Sequence, residues 1–439
     1  MKPLKAALAL ILAASLGADL GAGQTWRTQA LTSFDEVWQT VHDTFYDPTF
    51  GGLDWDAVKD ELRPKIQAAD SAETVRQIIR DMLGRLHQSH FVLLSSESIA
   101  DTLPGDAIVP IEIRVAAGDV VITRVVPGSS ADHAGLHPGD VVTSIGDDLV
   151  SAWHYSGPGN DERARNEVRA HSLDLYRKVF RALHGDTGSR VVLQVLTPTD
   201  ERRTVTVTRA AEAGQVVKLG NLPPLHVTVD TREVTSPRGQ HVGYIGFNVW
   251  MATVSGPIAA AVDKYRQDAG LVIDLRGNPG GLAYMISGLA GHVMSEPLLL
   301  GNMQTRTAPT YFRANPRLST DDGRRVTPFA GPVAILVDEL SASASECFAG
   351  ALQSLGRARI FGRQTMGQAL PASTKQLANG DVLMYAVSDF VTSTGHRLEG
   401  VGVVPDEAQP LSIEALAAGR DLPLEAALRW IDTDPVIGK

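Results

Sequence analysis

Two near-continuous apolar runs, Gly270-Leu271-Val272-Ile273-Asp274-Leu275 and Val333-Ala334-Ile335-Leu336-Val337, constrain what this chain can fold into more than any other feature. Each reads as a buried strand, and each runs into a turn built from small residues. The first turn is Arg276-Gly277-Asn278-Pro279-Gly280-Gly281. The second is Leu340-Ser341-Ala342-Ser343-Ala344-Ser345-Glu346, and Glu346 to Ser354 then reads as a helix. His241 to Phe247 adds a further strand and Ile258 to Arg266 a helix, so the chain is expected to be α/β from about Gly239 onward. Both turns suit chemistry. Glycines let backbone N–H groups approach a reacting carbonyl, and a serine at a helix N-terminus sits beside unpaired N–H groups that favour a developing oxyanion.

The rest of the chain has a different texture. Over residues 31–90, Phe34, Val37, Trp38, Val41 and Phe45 recur at helical spacing. So do Val58, Leu62 and Ile66, and then Val75, Ile78, Ile79, Met82 and Leu83, with Asp70 and Ser71 as the start signal of the third helix. Residues 106–210 change to short β-patterned runs: Val120-Val121-Ile122, Val141 to Ile145, Val191 to Val195 and Thr204 to Val207. The polar segment Ser151 to Arg165 reads as an insertion. A length of 439 residues allows two or three domains, and a net charge of −10 with no Lys/Arg-rich run argues against nucleic acid as a partner. Cys347 is the single cysteine, which excludes an internal disulfide and a thiolate metal cluster. Lys2 and Lys5, the apolar run Ala6 to Leu16 and the small residues Ala18 to Gly23 read as an export signal at 1–23. No later run is long and apolar enough for stable membrane insertion. With such a signal, the mature protein of a bacterial source is expected to be periplasmic or secreted.

The segment from Val333 to Gly367 resembles the tail-specific, or C-terminal processing, serine protease family. The family's S-A-S-A-S-E, G-A-L, G-R-A and T-F-G-K-G stand here as Ser341 to Glu346, Gly350-Ala351-Leu352, Gly356-Arg357-Ala358 and Thr365-Met366-Gly367-Gln368-Ala369. Asp274 to Gly281 matches the turn that contributes to the family's oxyanion hole. Val126 to Ala131 and Ala134 to Asp140 resemble a PDZ domain, and Leu183 to Gly188 fits the turn after its second helix. The resemblance implies a ClpP/crotonase-like α/β core with an N-terminal helical segment and an inserted PDZ-like domain. The expected division is a signal at 1–23, a helical domain at 24–100, the PDZ-like domain at 106–212, the protease core at 222–412 and a helical tail at 413–439. Ser343 is then the nucleophile, with N–H groups of Gly280 or Gly281 and of Ala344 as the oxyanion hole.

The family's catalytic lysine falls on Gln368, and an amide cannot act as a general base. The base must be found elsewhere. Leu86-His87-Gln88-Ser89-His90 resembles the L-x-x-S-H motif of the tricorn core protease, a branch that uses histidine, with the preceding serine bound to a distant glutamate. By that resemblance His90 is the base, Ser89 its orienter and Glu399, in Glu399-Gly400-Val401-Gly402-Val403-Val404-Pro405-Asp406, the glutamate. His87 and Lys375 are competing bases. His133 and His137 sit in the PDZ-like turn and read as exposed. His87 and His90 have no third ligand placed by the sequence, so no metal is assigned, and no cofactor is needed. The resulting expectation is an exported serine endopeptidase acting on peptides or unfolded protein tails. The alternative is a binding protein for an apolar ligand or peptide on the same fold, as in the modules of interphotoreceptor retinoid-binding protein. Oligomeric state is not encoded in any motif.

Overall fold

A computed structural model describes residues 26–96, 105–116, 118–153, 162–218, 220 and 224–433; the export signal expected at 1–23 and the last six residues of the tail lie outside these. The three N-terminal helices run over 26–44, Trp55–Ala68 and Ala72–Gly84. Ser71 caps the third, its hydroxyl accepting the Thr74 N–H at 3.2 Å. Their apolar faces bury Phe34, Val37, Val41, Val58, Leu62, Val75, Ile79 and Met82 in one core. Leu377 and Leu383 complete that core from the far end of the chain.

The docking of the helices onto the rest of the molecule is what places residues 87–90. The strand Val92–Leu94 pairs with Val382–Ala386, which in turn pairs with Ala372–Gln376. Beside this sheet Arg76 donates Nε and Nη2 to Asp381 at 3.0 and 3.1 Å, and Asp381 also accepts the Ser96 N–H at 2.8 Å. Both side chains are buried, at 7% and 0% exposure. Removing one partner strands the other charge away from water. Arg76→Ala is therefore expected to lower the unfolding free energy by about 3–5 kcal/mol, read from the urea midpoint at unchanged m.

The β-rich domain is a sheet in the order Ile111–Ala116, Asp119–Val125, Val141–Ile145, Arg190–Leu196, Arg202–Thr208, with Ile111–Ala116 at the edge. The long helix Glu162–Leu183 packs on it through Leu175, Val179 and Leu183. That helix starts inside the segment expected to be an insertion. Glu162-Arg163-Ala164-Arg165 are good helix formers, and their polarity concealed it.

The α/β core carries a sheet of six strands, of which Val229–Thr235 is antiparallel and His241–Phe247, Gly270–Asp274, Val333–Val337, Arg359–Gly362 and Glu407–Ala408 run parallel. Register aligns Ile245, Ile273, Ile335 and Ile360 across four neighbouring strands. That row faces the helices Ser255–Lys264, Met285–Gly291 and Ala344–Ser354, whose Ile258, Ile286 and Phe348 are buried with it. On the opposite face Tyr244, Val272, Leu336 and Phe361 meet Ala427 and Ile431 of the helix Leu422–Thr433. Coverage on both faces explains why the central strands are apolar throughout. Gly270–Asp274 and Val333–Val337 are adjacent and parallel, so the glycine-rich turn and the serine cluster emerge side by side at their C-terminal ends.

Candidate active site

The three serines of the cluster have distinct tasks. Ser341 Oγ donates to the Leu275 carbonyl at 2.7 Å and accepts the Asp338 N–H at 3.0 Å. Ser345 Oγ donates to the Asn278 carbonyl at 3.0 Å and accepts the Trp250 indole N–H at 2.9 Å. Both are fully buried and stitch the serine loop to the glycine turn. Ser343 alone is half-buried, and it stands in a left-handed conformation (φ 53°, ψ −116°) at the N-cap of Ala344–Ser354. A non-glycine residue in that region stores strain of about 1–3 kcal/mol and persists only where its surroundings dictate it. Here its N–H is shared between the Gln368 carbonyl at 2.8 Å and Glu346 Oε2 at 3.1 Å.

Glu346 is the residue the sequence reading passed over. It lies fully buried beneath Ser343, with Oε1 accepting from Thr365 Oγ1 at 2.5 Å and Gly367 N–H at 2.7 Å, and Oε2 from Gln368 N–H at 2.9 Å. Burial pushes its carboxyl up to about 7, against the pull of those donors. The Ser-x-x-Glu spacing of a capping box was the signal available for it.

The glycine turn presses directly on the serine loop. A Cβ on Gly280 would lie 2.7 Å from Ser343 Cβ and 3.0 Å from the Ala344 nitrogen. The Gly280 N–H is held by Asn278 Oδ1 at 3.0 Å. That leaves the N–H groups of Gly281 and Ala344 without a protein acceptor among the described residues. Trp250 pins this turn from behind, through Trp250 N–H to the Gly280 carbonyl and Leu282 N–H to the Trp250 carbonyl, both 2.8 Å.

Across the cleft, Ser89 Oγ lies 2.7 Å from His90 Nδ1 and donates to Glu399 Oε2 at 2.9 Å, while the Ser89 N–H donates to Glu399 Oε1 at 2.8 Å. Glu399 Oε2 also accepts the Ala369 N–H at 2.9 Å. Residues 367–369 thus form a rail whose three successive N–H groups are held by the two carboxylates, Glu346 under the serine and Glu399 behind the histidine. The chemistry of the relay selects a tautomer. An ionised Glu399 only accepts, so Ser89 gives it the hydroxyl proton and its oxygen accepts Nδ1–H, which leaves Nε2 with the lone pair of a base. Burial raises the Glu399 carboxyl, opposed by Ser89, Ala369 and the Arg397 charge, and burial lowers the His90 imidazole to about 4. No hydrogen bond joins His90 Nε2 to Ser343 Oγ among the described residues. Such contacts commonly close only when substrate is bound.

Other candidates lie elsewhere. His87, His133 and His137 are exposed. Lys375 Nζ donates to Thr40 Oγ1 at 3.1 Å, tying the core to the helices. Cys347 is buried and its thiol is pushed up by burial, so it holds no thiolate. In the β-rich domain the Val109 N–H goes to the Leu183 carbonyl, the Ile111 N–H to the Val109 carbonyl, and Pro110 has none. That loop therefore has no free donor at 109–111 for a terminal carboxylate. The same domain reaches the site through Arg114, whose Nε meets Asp338 Oδ2 at 2.5 Å, while Asp338 Oδ1 accepts the Gly277 N–H at 2.8 Å and the Leu340 N–H at 3.0 Å.

Comparison with known proteins bears on the fold and the family. Residues 241–409 match the model of peptidase family S41, 27–84 the tricorn protease C1 domain and 121–154 the PDZ domain. A carboxyl-terminal-processing protease of Picosynechococcus sp. is 27% identical over 418 residues, covering 92% of this chain and 90% of its own length. One from Synechocystis sp. is 27% identical over 438 residues, covering 96% and 92%. Among solved structures, the photosystem II D1 C-terminal processing protease superposes with a TM-score of 0.57 at 24% identity, over 92% of this chain and 98% of that one, a likeness of fold. Residues 241–409 thus match a peptidase of family S41, and the chain is a serine peptidase similar to carboxyl-terminal-processing proteases.

Proposed function

We propose that this protein is an exported serine endopeptidase that cleaves peptides or protein tails through an acyl-enzyme on Ser343, with His90 as general base. The observation that carries the reading is the continuous relay from Glu399 through Ser89 to His90 Nδ1, joined by the 367–369 rail to the backbone of Ser343. Ser343 Oγ attacks the scissile carbonyl and passes its proton to His90 Nε2, which later gives it to the leaving amine. Water then attacks the acyl carbonyl by the same route, and Ser343 is regenerated. The N–H groups of Ala344 and Gly281 then receive the oxyanion, a reading supported by their lack of a protein acceptor among the described residues, with Gly280 supplying the close approach rather than its own N–H. The match of 27–84 to the tricorn C1 domain supports the histidine branch. Export rests on the signal-like residues 1–23.

Fluorophosphonate labelling of the purified protein tests the assignment. Wild type is expected to label, and Ser343→Ala and His90→Ala, folded by circular dichroism, are expected not to. Labelling that survives in Ser343→Ala would overturn the nucleophile; labelling that survives in His90→Ala would overturn the base.

A further inference from the structure

The loop that carries Ser89 and His90 is strained at both ends, since His87 (φ 50°) and His90 (φ 62°) are both left-handed. Such a conformation persists only when the surroundings over-determine it. Ser89 is tied to Glu399. The second tie falls on Gln88, whose Oε1 accepts from Arg397 Nη2 at 3.2 Å and from the Tyr46 hydroxyl at 3.3 Å. The same Nη2 donates to Tyr46 Oη at 3.1 Å, Nη1 to the Glu399 carbonyl at 3.2 Å and Nε to Asp389 Oδ2 at 2.5 Å. One planar guanidinium thus joins the helical segment, the histidine loop, the strand Asp389–Thr392 and the backbone of Glu399.

We propose that Arg397 is a positioning residue for catalysis, which holds the His90 loop in register with Glu399 through Gln88 and Tyr46. The inference rests on His90 being the base. Arg397 has no bond to Ser343, Ser89 or His90 among the described residues, so it acts through the loop and not on the reacting atoms. The role requires a fork of donors in fixed directions, which a lysine ammonium does not supply. Its charge also faces the Glu399 carboxylate and favours the ionised form that the relay uses.

The side chain is 42% exposed, so a small cation from solution can enter the space it leaves. The test is the second-order rate of fluorophosphonate labelling in Arg397→Ala, Arg397→Lys and Gln88→Ala, with and without guanidinium chloride far below denaturing concentration. Arg397→Ala is expected to label about 10–100-fold more slowly than wild type, because small misplacement of a catalytic group costs that much. Arg397→Lys is expected to recover little of the loss. Gln88→Ala is expected to slow labelling in the same direction. Guanidinium is expected to restore Arg397→Ala while leaving wild type unchanged, which a merely stabilising role for Arg397 would not produce. An Arg397→Ala rate within 2-fold of wild type, or a loss that follows the thermal midpoint and is not restored, overturns the proposal. His90→Ala, run in parallel, separates the two readings. If His90→Ala is dead and Arg397→Ala is unaffected, only the clamp is overturned; if His90→Ala labels normally, the histidine assignment fails and the clamp with it.

Discussion

His90→Ala is expected to lower kcat by about 10²- to 10⁴-fold on a peptide substrate, with KM changed little, because the loss is of proton transfer in the transition state and not of substrate binding. The pH profile gives this prediction a signature. The base works only when neutral, and burial holds its imidazole down to about 4. Wild-type kcat/KM is therefore expected to be insensitive to this group at neutral pH and to fall as pH drops through about 4. The His90→Ala profile should lack that limb. The same shift has a stability consequence of fixed sign. A group whose pKa is lowered on folding stabilises the fold above its unfolded value and loses that contribution as pH falls through the folded one. The margin of wild type over His90→Ala in unfolding free energy is accordingly expected to shrink as pH falls from near 6.5 toward 4, and the acid limb is read at a folded fraction checked by circular dichroism. A His90→Ala enzyme with unchanged kcat would remove histidine from the mechanism.

Glu346→Gln is expected to be nearly as damaging, though it is an isosteric change at a residue that touches no substrate. Both carboxylate oxygens only accept: Thr365 Oγ1 and Gly367 N–H on one, Gln368 N–H and Ser343 N–H on the other. An amide puts an N–H₂ in one of those places, and it then faces a backbone donor in either orientation. A buried donor left without an acceptor costs about 1–3 kcal/mol. The loss is expected to be at least that in urea unfolding. Labelling of Ser343 should also fall by about 10²-fold, since in either orientation the network that holds the strained N-cap loses an acceptor, at Ser343 itself or at Gly367. The carboxyl, raised to about 7, adds a pH test. A carboxyl raised on folding stabilises fully below its unfolded value and progressively less as pH rises through the folded one. The stability margin of wild type over Glu346→Gln is therefore expected to narrow as pH rises from about 4.5 to 7, read as the difference between the two urea midpoints at each pH. A variant as stable and as reactive as wild type would show that the rail does not hold the nucleophile.

Local pattern carried much of the fold. Val333–Val337 emerged with its observed bounds because five consecutive apolar residues between turns admit few other readings. Helix starts were less legible. The expected start at Glu346 lies two residues inside the helix, because Ala344 and Ser345 are small residues that read as loop. The helix expected from Ile258 begins at Ser255, since Pro257 is tolerated in a first turn where no N–H partner is needed.

The site divides along the same line. Residue types and spacing were enough to mark a serine at a helix N-terminus and a glycine turn after a buried strand, since each is a local property of the chain. Family resemblance supplied the lysine missing at Gln368 and the roles expected of His90, Ser89 and Glu399. Tertiary structure alone decided that Ser89 meets Glu399 across 310 positions of sequence, that Asn278 takes the Gly280 N–H, that Glu346 takes the Gly367 N–H, and that Arg397 reaches Gln88. These are bonds between polar groups brought together by packing. Periodicity records which face of an element is buried, and it carries no information on which distant donor a buried carboxylate will find there.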